Sequence, residues 1–183
     1  CRTLSNYNGA YYYWQYPDVY GDFGAFQKIG PKGEGCRIEK VNFNFYWNKA
    51  QSTWPRYTTN STLEIREVDP LNDGFPGTLI YSQVITPADY GTVVPTPTAS
   101  KNWWKAFDVA VQNLRFDHDI WVGIVSDAPD NLSGISILSD DGTTGGYRSA
   151  EYWGDYGYMN DDWTAGDIDF GITLDVCCVP IPE

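Results

Sequence analysis

The amino-acid sequence predicts an all-β protein, an antiparallel β-sandwich of jelly-roll-like type with about eight or nine strands. Runs rich in β-branched and aromatic residues recur along the 183-residue chain, and turns rich in glycine and proline separate them. No long segment has the apolar spacing of a helix. Aromatic residues make up 16% of the chain, with 8 Trp and 14 Tyr, so much of the apolar content lies in large rings that favour strands.

The clearest strand signal lies in the middle of the chain, where a turn containing glycine and proline at residues 73–77 is followed by three apolar runs. These runs, which we expect to be antiparallel strands, cover residues 78–85, 103–111 and 119–126. The second and third are predicted to form a hairpin around residues 113–118. The proline-containing connection at 87–100 is of the kind that crosses between the sheets of a sandwich.

Residues 36–47 are predicted to form the central strand of the core. Val41, Phe43, Phe45 and Trp47 alternate with other residues, which places four large side chains on one face. Shorter strands are expected at 23–29, 62–68 and 134–138. The final run, 167–176, alternates in the same way and carries Ile168, Phe170, Ile172, Leu174 and Val176 on one face.

The whole chain, residues 1–183, is predicted to form a single domain, since this length suits one full core. Two segments differ in composition from the rest. Residues 1–22 form an aromatic N-terminal arm, and residues 139–166 form a loop region rich in Asp, Gly, Tyr and Trp. Long loops in a compact domain often carry function.

The four cysteines predict disulfides and an extracellular location. Cys1, Cys36, Cys177 and Cys178 form no Cys-x-x-Cys pair, and a single histidine accompanies them, which argues against zinc. Disulfides persist in oxidising, extracytoplasmic compartments. We expect the adjacent cysteines to bond separately to Cys1 and Cys36, with a bond to a neighbouring subunit or an N-terminal lipid as the alternative.

Charge and hydropathy exclude two classes of partner. The net charge of −12 repels phosphate backbones and anionic headgroups, so nucleic acid is not expected as a partner. No run of about 18 apolar residues exists, so no membrane span is predicted. Because the sequence begins at Cys1 without an apolar leader, we expect a mature or excised segment.

Seven pieces of the chain form a recognisable strand and turn pattern: residues 20–24, 41–46, 74–79, 104–109, 120–124, 148–153 and 168–177. Taken in order, they resemble accessory jelly-roll β-sandwich modules of secreted bacterial proteins, found beside peptidases, adhesins and sorting tails. The resemblance implies an adhesive, glycan-binding or structural role. An insertion at 48–60 and the arm before Tyr20 depart from the pattern.

Catalysis is not expected. The one histidine, His118, lies between Asp117 and Asp119 at the foot of the predicted hairpin, and no catalytic partner is recognisable in the sequence. No Gly-x-Ser-x-Gly motif surrounds a serine, and the glutamates are too generic to define a pair for glycoside hydrolysis. A surface turn is the expected role of His118.

Calcium is the one cofactor for which the sequence offers candidate ligands, because oxygen ligands gathered in loops suit this cation. The alternative is that these Asp residues form turns. The tentative ligands are Asp127, Asp130, Asp140, Asp141, Asp161 and Asp162.

Exposed aromatic side chains are the remaining candidates for a ligand site or an interface. In a strand only alternate residues face the core, so Trp103 and Trp104 cannot both be buried. Rings left at the surface stack on sugars or on another protein. The tentative set is Tyr11, Tyr13, Trp14, Trp103, Tyr152, Trp153, Tyr156 and Trp163.

These features predict a non-catalytic extracellular structural or adhesive module. Its aromatic surface and N-terminal arm would bind copies of itself or another extracellular protein, and donor-strand exchange is one route for the arm. The alternative is a carbohydrate-binding module with Trp and Tyr platforms and a calcium ion.

Overall fold

In the computed structural model, most of the described residues lie in strands. The described residues are 1–10, 12–17, 22–31, 33–47, 57–91, 100–129, 133–142, 148–159 and 168–180, without the side chains of Gln15, Tyr156 and Met159. Within these ranges no helix is long and apolar enough to span a membrane.

The described residues form thirteen strands, more than predicted, because several are only two to five residues long. Their bounds are β1 Arg2–Leu4, β2 Tyr12–Tyr16, β3 Gly24–Ile29, β4 Glu34–Trp47, β5 Ser61–Val68, β6 Pro76–Ile85, β7 Lys101–Asp108, β8 Arg115–Phe116, β9 Ile120–Ser126, β10 Ile135–Ser139, β11 Ser149–Tyr152, β12 Tyr158–Met159 and β13 Ile172–Pro180.

The strands form two antiparallel sheets that pack as a sandwich, which confirms the predicted fold class. The seven-stranded sheet has the order β1-β13-β4-β10-β2, with β7 and β8 also paired to β4. The six-stranded sheet has the order β12-β11-β3-β9-β5-β6.

Strand β4 is the centre of the core, as predicted. Val41, Phe43 and Phe45 are fully buried, and Trp47 packs against them. A register shift against β13 leaves Glu39 without a partner there, so Ile38 and Val41 both face inward despite their odd spacing. The five apolar residues predicted to share a face at 168–176 are all fully buried.

The predicted hairpin between residues 103–111 and 119–126 is wrong. Strand β7 pairs with β4 in the seven-stranded sheet, whereas β9 pairs with β3 and β5 in the other sheet. The turn after β7 contains Asn113 in the left-handed conformation, with φ 50°, and leads to β8, which also pairs with β4. The chain crosses to the other sheet between β8 and β9.

Residues 1–22 do not form a separate arm where they are described. Strand β1 pairs with β13, β2 pairs with β10, and Tyr16 is fully buried. Both strands therefore belong to the sandwich of their own chain.

Two disulfides link Cys1 to Cys177 and Cys36 to Cys178, the expected pairing. They join strand β13 to the chain start and to β4. Because all four cysteines are paired within the chain, the alternative bond to another subunit or a lipid is contradicted.

Candidate functional site

The outer face of the seven-stranded sheet carries a row of polar and aromatic side chains. Because alternate residues of β4 face the core, Asn42, Asn44 and Tyr46 project to the other side. We call this surface the open face and define it by those three residues with Trp104 and Thr173, which lie opposite Asn44 and Asn42 on β7 and β13.

Hydrogen bonds hold the polar side chains of the open face in place. Asn42 Nδ2 donates to Thr173 Oγ1 at 3.2 Å. Farther toward the sheet edge, Thr3 Oγ1 on β1 donates to Asp175 Oδ1 on β13 at 2.7 Å. Each contact joins neighbouring strands, so the sheet itself orients these groups.

A shallow cavity of about 370 Å³ lies on the open face. Among the described lining residues Asp175 alone is charged, and the others supply hydroxyl, amide and aromatic groups. The described lining residues are Thr3, Ser5, Tyr7, Asn42, Trp104, Thr173 and Asp175.

Trp104 is the exposed ring of this cavity. It is 48% exposed, and the Tyr7 ring meets it edge-on with a centroid distance of 5.7 Å. Its neighbour Trp103, named above as a surface platform, instead faces the core, where its indole N–H donates to the Tyr90 carbonyl at 3.1 Å. The prediction that Trp103 is the exposed tryptophan of this pair is therefore wrong, and Trp104 is the exposed one.

Asn44 lies beneath Tyr7 and is only 2% exposed. Its Nδ2 donates to the Tyr7 hydroxyl at 3.2 Å, while its Oδ1 has no hydrogen-bond partner among the described residues. Burial raises the pKa of the Tyr7 hydroxyl, and the Asn44 hydrogen bond partly opposes this rise.

A second aromatic pair extends the open face toward β2. Tyr13 is 45% exposed and stacks on Tyr46 with a centroid distance of 5.0 Å and nearly parallel rings. Trp14, the next residue, packs against Phe170 and donates from its indole to Ser139 Oγ at 2.8 Å. Of these two predicted platform residues, Tyr13 is thus at the surface and Trp14 against the core.

The outer face of the six-stranded sheet differs at its centre, where a second cluster buries large aromatic side chains. Phe26 and Trp121 are buried there, and we call this surface, together with Tyr152 and Tyr158, the closed face. Tyr158 meets Phe26 edge-on at 5.2 Å, and the Trp121 indole donates to the Gly74 carbonyl at 2.8 Å.

Two predicted platform residues lie at or beside the closed face. Tyr152 packs against Tyr158 with a centroid distance of 5.2 Å. Trp153 is half-buried, and its indole nitrogen has no partner among the described residues. Tyr11, Trp163 and the side chain of Tyr156 lie outside the described part of the chain.

The tentative calcium ligands are only partly described. Asp140 is buried and its Oδ1 accepts hydrogen bonds from the backbone of Gly142 and Asp169, at 3.0 and 2.8 Å, which is the bonding of a turn. Asp127 and Asp141 are exposed. The ligands Asp130, Asp161 and Asp162 lie outside the described residues, so the calcium site stays a prediction.

Among the described residues, one group of three potential metal ligands comes together: Glu34, Cys36 and Cys178. Both cysteines belong to a disulfide, so they offer no thiolate for a metal ion.

His118 lies on the surface between two carboxylates. Its Nδ1 is 2.8 Å from Asp117 Oδ1 and its Nε2 is 2.7 Å from Glu67 Oε2. The hydrogen bonds to Asp117 and Glu67 raise the pKa of the imidazole. Since both ring nitrogens are engaged, the arrangement suits a link between β5 and the turn before β9.

Sequence reasoning missed Tyr7, Asn44, Tyr46 and Trp104 as site residues. A signal for Trp104 existed, because Phe107 continues the inward positions of β7 and so assigns Trp103 to the core. Tyr7 and Asn44 gave no such signal, since their contact joins the coil after β1 to the centre of the sheet.

Comparisons of the chain with protein-family models, with curated proteins and with solved structures found no match. The resemblance to jelly-roll modules of secreted proteins therefore stays a prediction.

Proposed function

We propose that the protein is a non-catalytic extracellular module that binds a neutral carbohydrate on its open face. The observation that carries this proposal is the exposed Trp104 ring beside an ordered row of hydroxyl and amide side chains in one cavity. The two disulfides support an extracellular location.

A sugar ring presents apolar C–H groups on its face and hydroxyls around its edge. The C–H groups on a pyranose face pack on an aromatic ring, which provides a large contact area at small entropic cost. The hydroxyls around the ring edge need donors and acceptors, and Asn42, Thr173 and Thr3 provide both. A few fixed polar groups around an apolar surface are typical of small-molecule sites.

Charge favours a neutral ligand over an acidic one. Asp175 is the charged residue among the described lining side chains, and the net charge of the chain is −12. A uronate or a sulfated sugar would be repelled at this surface.

Self-association through the N-terminal arm has less support. Strands β1 and β2 already pair with β13 and β10, so neither is offered in trans as an unpaired strand. We therefore favour the carbohydrate hypothesis over the adhesive-arm hypothesis.

The test is isothermal titration calorimetry against short soluble β-linked oligosaccharides of glucose, xylose, mannose or N-acetylglucosamine. We expect saturable binding to at least one of them, weakened at least about tenfold by Trp104→Ala, which corresponds to about 1.4 kcal/mol. Oligogalacturonate should bind more weakly.

The matched control is Tyr12→Ala, which removes an aromatic side chain that is 37% exposed and alternates to the other side of β2 from Tyr13. It should leave affinity unchanged. Equal affinity of the wild type and Trp104→Ala, or no binding to any of the neutral sugars, would contradict the proposal.

A further inference from the structure

Only one end of the Asn44 side-chain amide is hydrogen-bonded among the described residues. Asn44 is 2% exposed, and its amide has one side-chain partner, the Tyr7 hydroxyl, at 3.2 Å. The Oδ1 atom has no partner among the described residues. Exchanging the two ends of the amide would leave the nitrogen in that position instead.

Buried polar atoms of this kind are rare in native proteins, and each asks for an explanation. Here the amide lies next to the candidate site, since Asn44 is directly opposite Trp104 in the β4 and β7 pairing. Tyr7, which contacts both residues, lines the cavity itself.

We propose that Tyr7 is a displaceable cover and that Asn44 is a specificity-determining residue, whose amide binds a pair of adjacent sugar hydroxyls once Tyr7 has turned away. This inference rests on the proposed carbohydrate site and names the feature of the sugar that the site recognises.

The contacts of Tyr7 suit a side chain that moves while its backbone stays in place. On one side Asn6 Nδ2 donates to the Lys28 carbonyl at 2.8 Å, and on the other the Asn8 backbone N–H donates to Asp140 Oδ2 at 3.3 Å. The Tyr7 side chain itself is held by the Asn44 hydrogen bond and the edge contact with Trp104. Rotation about its side-chain bonds would therefore release it from the cavity.

The amide chemistry defines the ligand feature. An asparagine amide presents an acceptor and donors side by side, and each sugar hydroxyl can donate and accept. Two free hydroxyls on adjacent carbons can satisfy both ends of the amide together. A 4-linked glucose or xylose unit inside a chain has such a pair at carbons 2 and 3, whereas an N-acetylglucosamine unit has an acetamido group on carbon 2.

The experiment compares four proteins by calorimetry: the wild type, Trp104→Ala, Tyr7→Ala and Asn44→Leu. The probes are 4-linked oligosaccharides of β-glucose and of β-N-acetylglucosamine of equal length. We expect the wild type to prefer the glucose chain. Tyr7→Ala should bind that chain several-fold more tightly than the wild type, because the Tyr7 ring no longer has to be displaced.

Asn44→Leu should bind the glucose chain at least about tenfold more weakly and lose the preference between the two sugars. Leucine has a similar size to asparagine and introduces no unpaired polar atom, so we expect this variant to fold. The urea midpoint of the Asn44→Leu variant checks that its fold is intact. Asn44→Ser, which replaces the amide by a single hydroxyl, is the second variant and should lose the preference while the sheet stays folded.

Two outcomes overturn this inference alone. One is a Tyr7→Ala variant that binds the glucose chain no more tightly than the wild type, and the other is an Asn44→Leu variant with wild-type affinity and preference. A wild-type protein that binds neither sugar chain nor any other neutral oligosaccharide overturns the proposed function, and this inference with it.

Discussion

The two outer faces of the sandwich carry similar aromatic side chains, but these are buried on one face and exposed on the other. On the closed face, Trp121 and Phe26 are buried in a cluster against which Tyr152 and Tyr158 pack, and the Trp121 indole donates to the Gly74 carbonyl. On the open face, Trp104 is 48% exposed, and the buried amide of Asn44 keeps an atom without a partner among the described residues.

The comparison shows that aromatic content alone does not locate a binding surface. Rings that are covered and whose polar atoms are satisfied contribute to stability. Rings that are exposed next to ordered but incompletely paired polar groups can contribute to recognition instead. The open face therefore carries the proposed function, and the closed face serves as a second, smaller core.

The largest expected effect comes from truncating one tryptophan on each face. Trp121→Ala should lower the free energy of unfolding by about 3–5 kcal/mol, because it removes a fully buried ring. Trp104→Ala should change it by less than about 1 kcal/mol, since the ring is half exposed. Urea unfolding measures both, and similar losses for the two variants would break the distinction between the faces.

Removing the Cys1–Cys177 disulfide should have the next largest effect and should reach the open face. The double variant Cys1→Ser/Cys177→Ser should lower the free energy of unfolding by about 2–5 kcal/mol. Because this disulfide lies next to the pairing of β1 with β13, which brings Thr3 to Asp175, carbohydrate affinity should also fall.

The matched control for that variant is Cys36→Ser/Cys178→Ser, which leaves the disulfide at the chain start in place. Urea unfolding should show a similar loss of stability for this control. Calorimetry should show a smaller loss of carbohydrate affinity than in Cys1→Ser/Cys177→Ser. A larger loss of affinity in the control would show that the chain start does not shape the site.

The smallest expected effect concerns the link made by His118 to β5 of the six-stranded sheet. Because hydrogen bonds to Asp117 and Glu67 raise the pKa of His118 in the folded state, its contribution to stability is complete below about pH 6.5 and is lost as the pH rises through the folded-state pKa. The Glu67 pair is exposed, so the effect should be below about 1 kcal/mol.

A histidine NMR titration measures this pKa directly. Glu67→Gln should lower it and flatten the dependence of the urea midpoint on pH, while carbohydrate binding should not change. An unaltered His118 pKa in Glu67→Gln would contradict the link.

The sequence predicted the core strands well because alternation records which side chains are buried. Val41, Phe43, Phe45 and the terminal run from Ile168 to Val176 are all in the positions that their spacing predicted. Alternation does not say which sheet a strand joins, so the hairpin joining β7 to β9 was wrong. The register shift at Glu39 is visible in the sequence only as the odd spacing of Ile38 and Val41, which does not by itself say that both residues face inward.

The candidate site was harder to predict because cover and exposure depend on distant segments. Tyr152 and Trp104 are both large aromatic residues in strands, so the sequence does not distinguish them. In the structure, Tyr152 packs against Tyr158 on the closed face, where the turn at Gly74 also contacts Trp121. That turn follows from sequence, since Asp73 and Gly74 adopt φ values of 50° and 75° that suit these two residue types. The contact of this turn with Trp121 cannot be predicted from the sequence, because it joins two distant segments.

The most direct test of the central claim is an NMR titration of the tryptophan indole signals with the neutral oligosaccharide that binds best in calorimetry. Each of the 8 Trp residues gives one indole N–H signal, which reports on the surroundings of that residue. The signal that disappears in Trp104→Ala is the signal of Trp104. We expect saturable shifts at Trp104 and no comparable shift at Trp121. Shifts at Trp121 or Trp153 with an unchanged Trp104 signal would contradict the account.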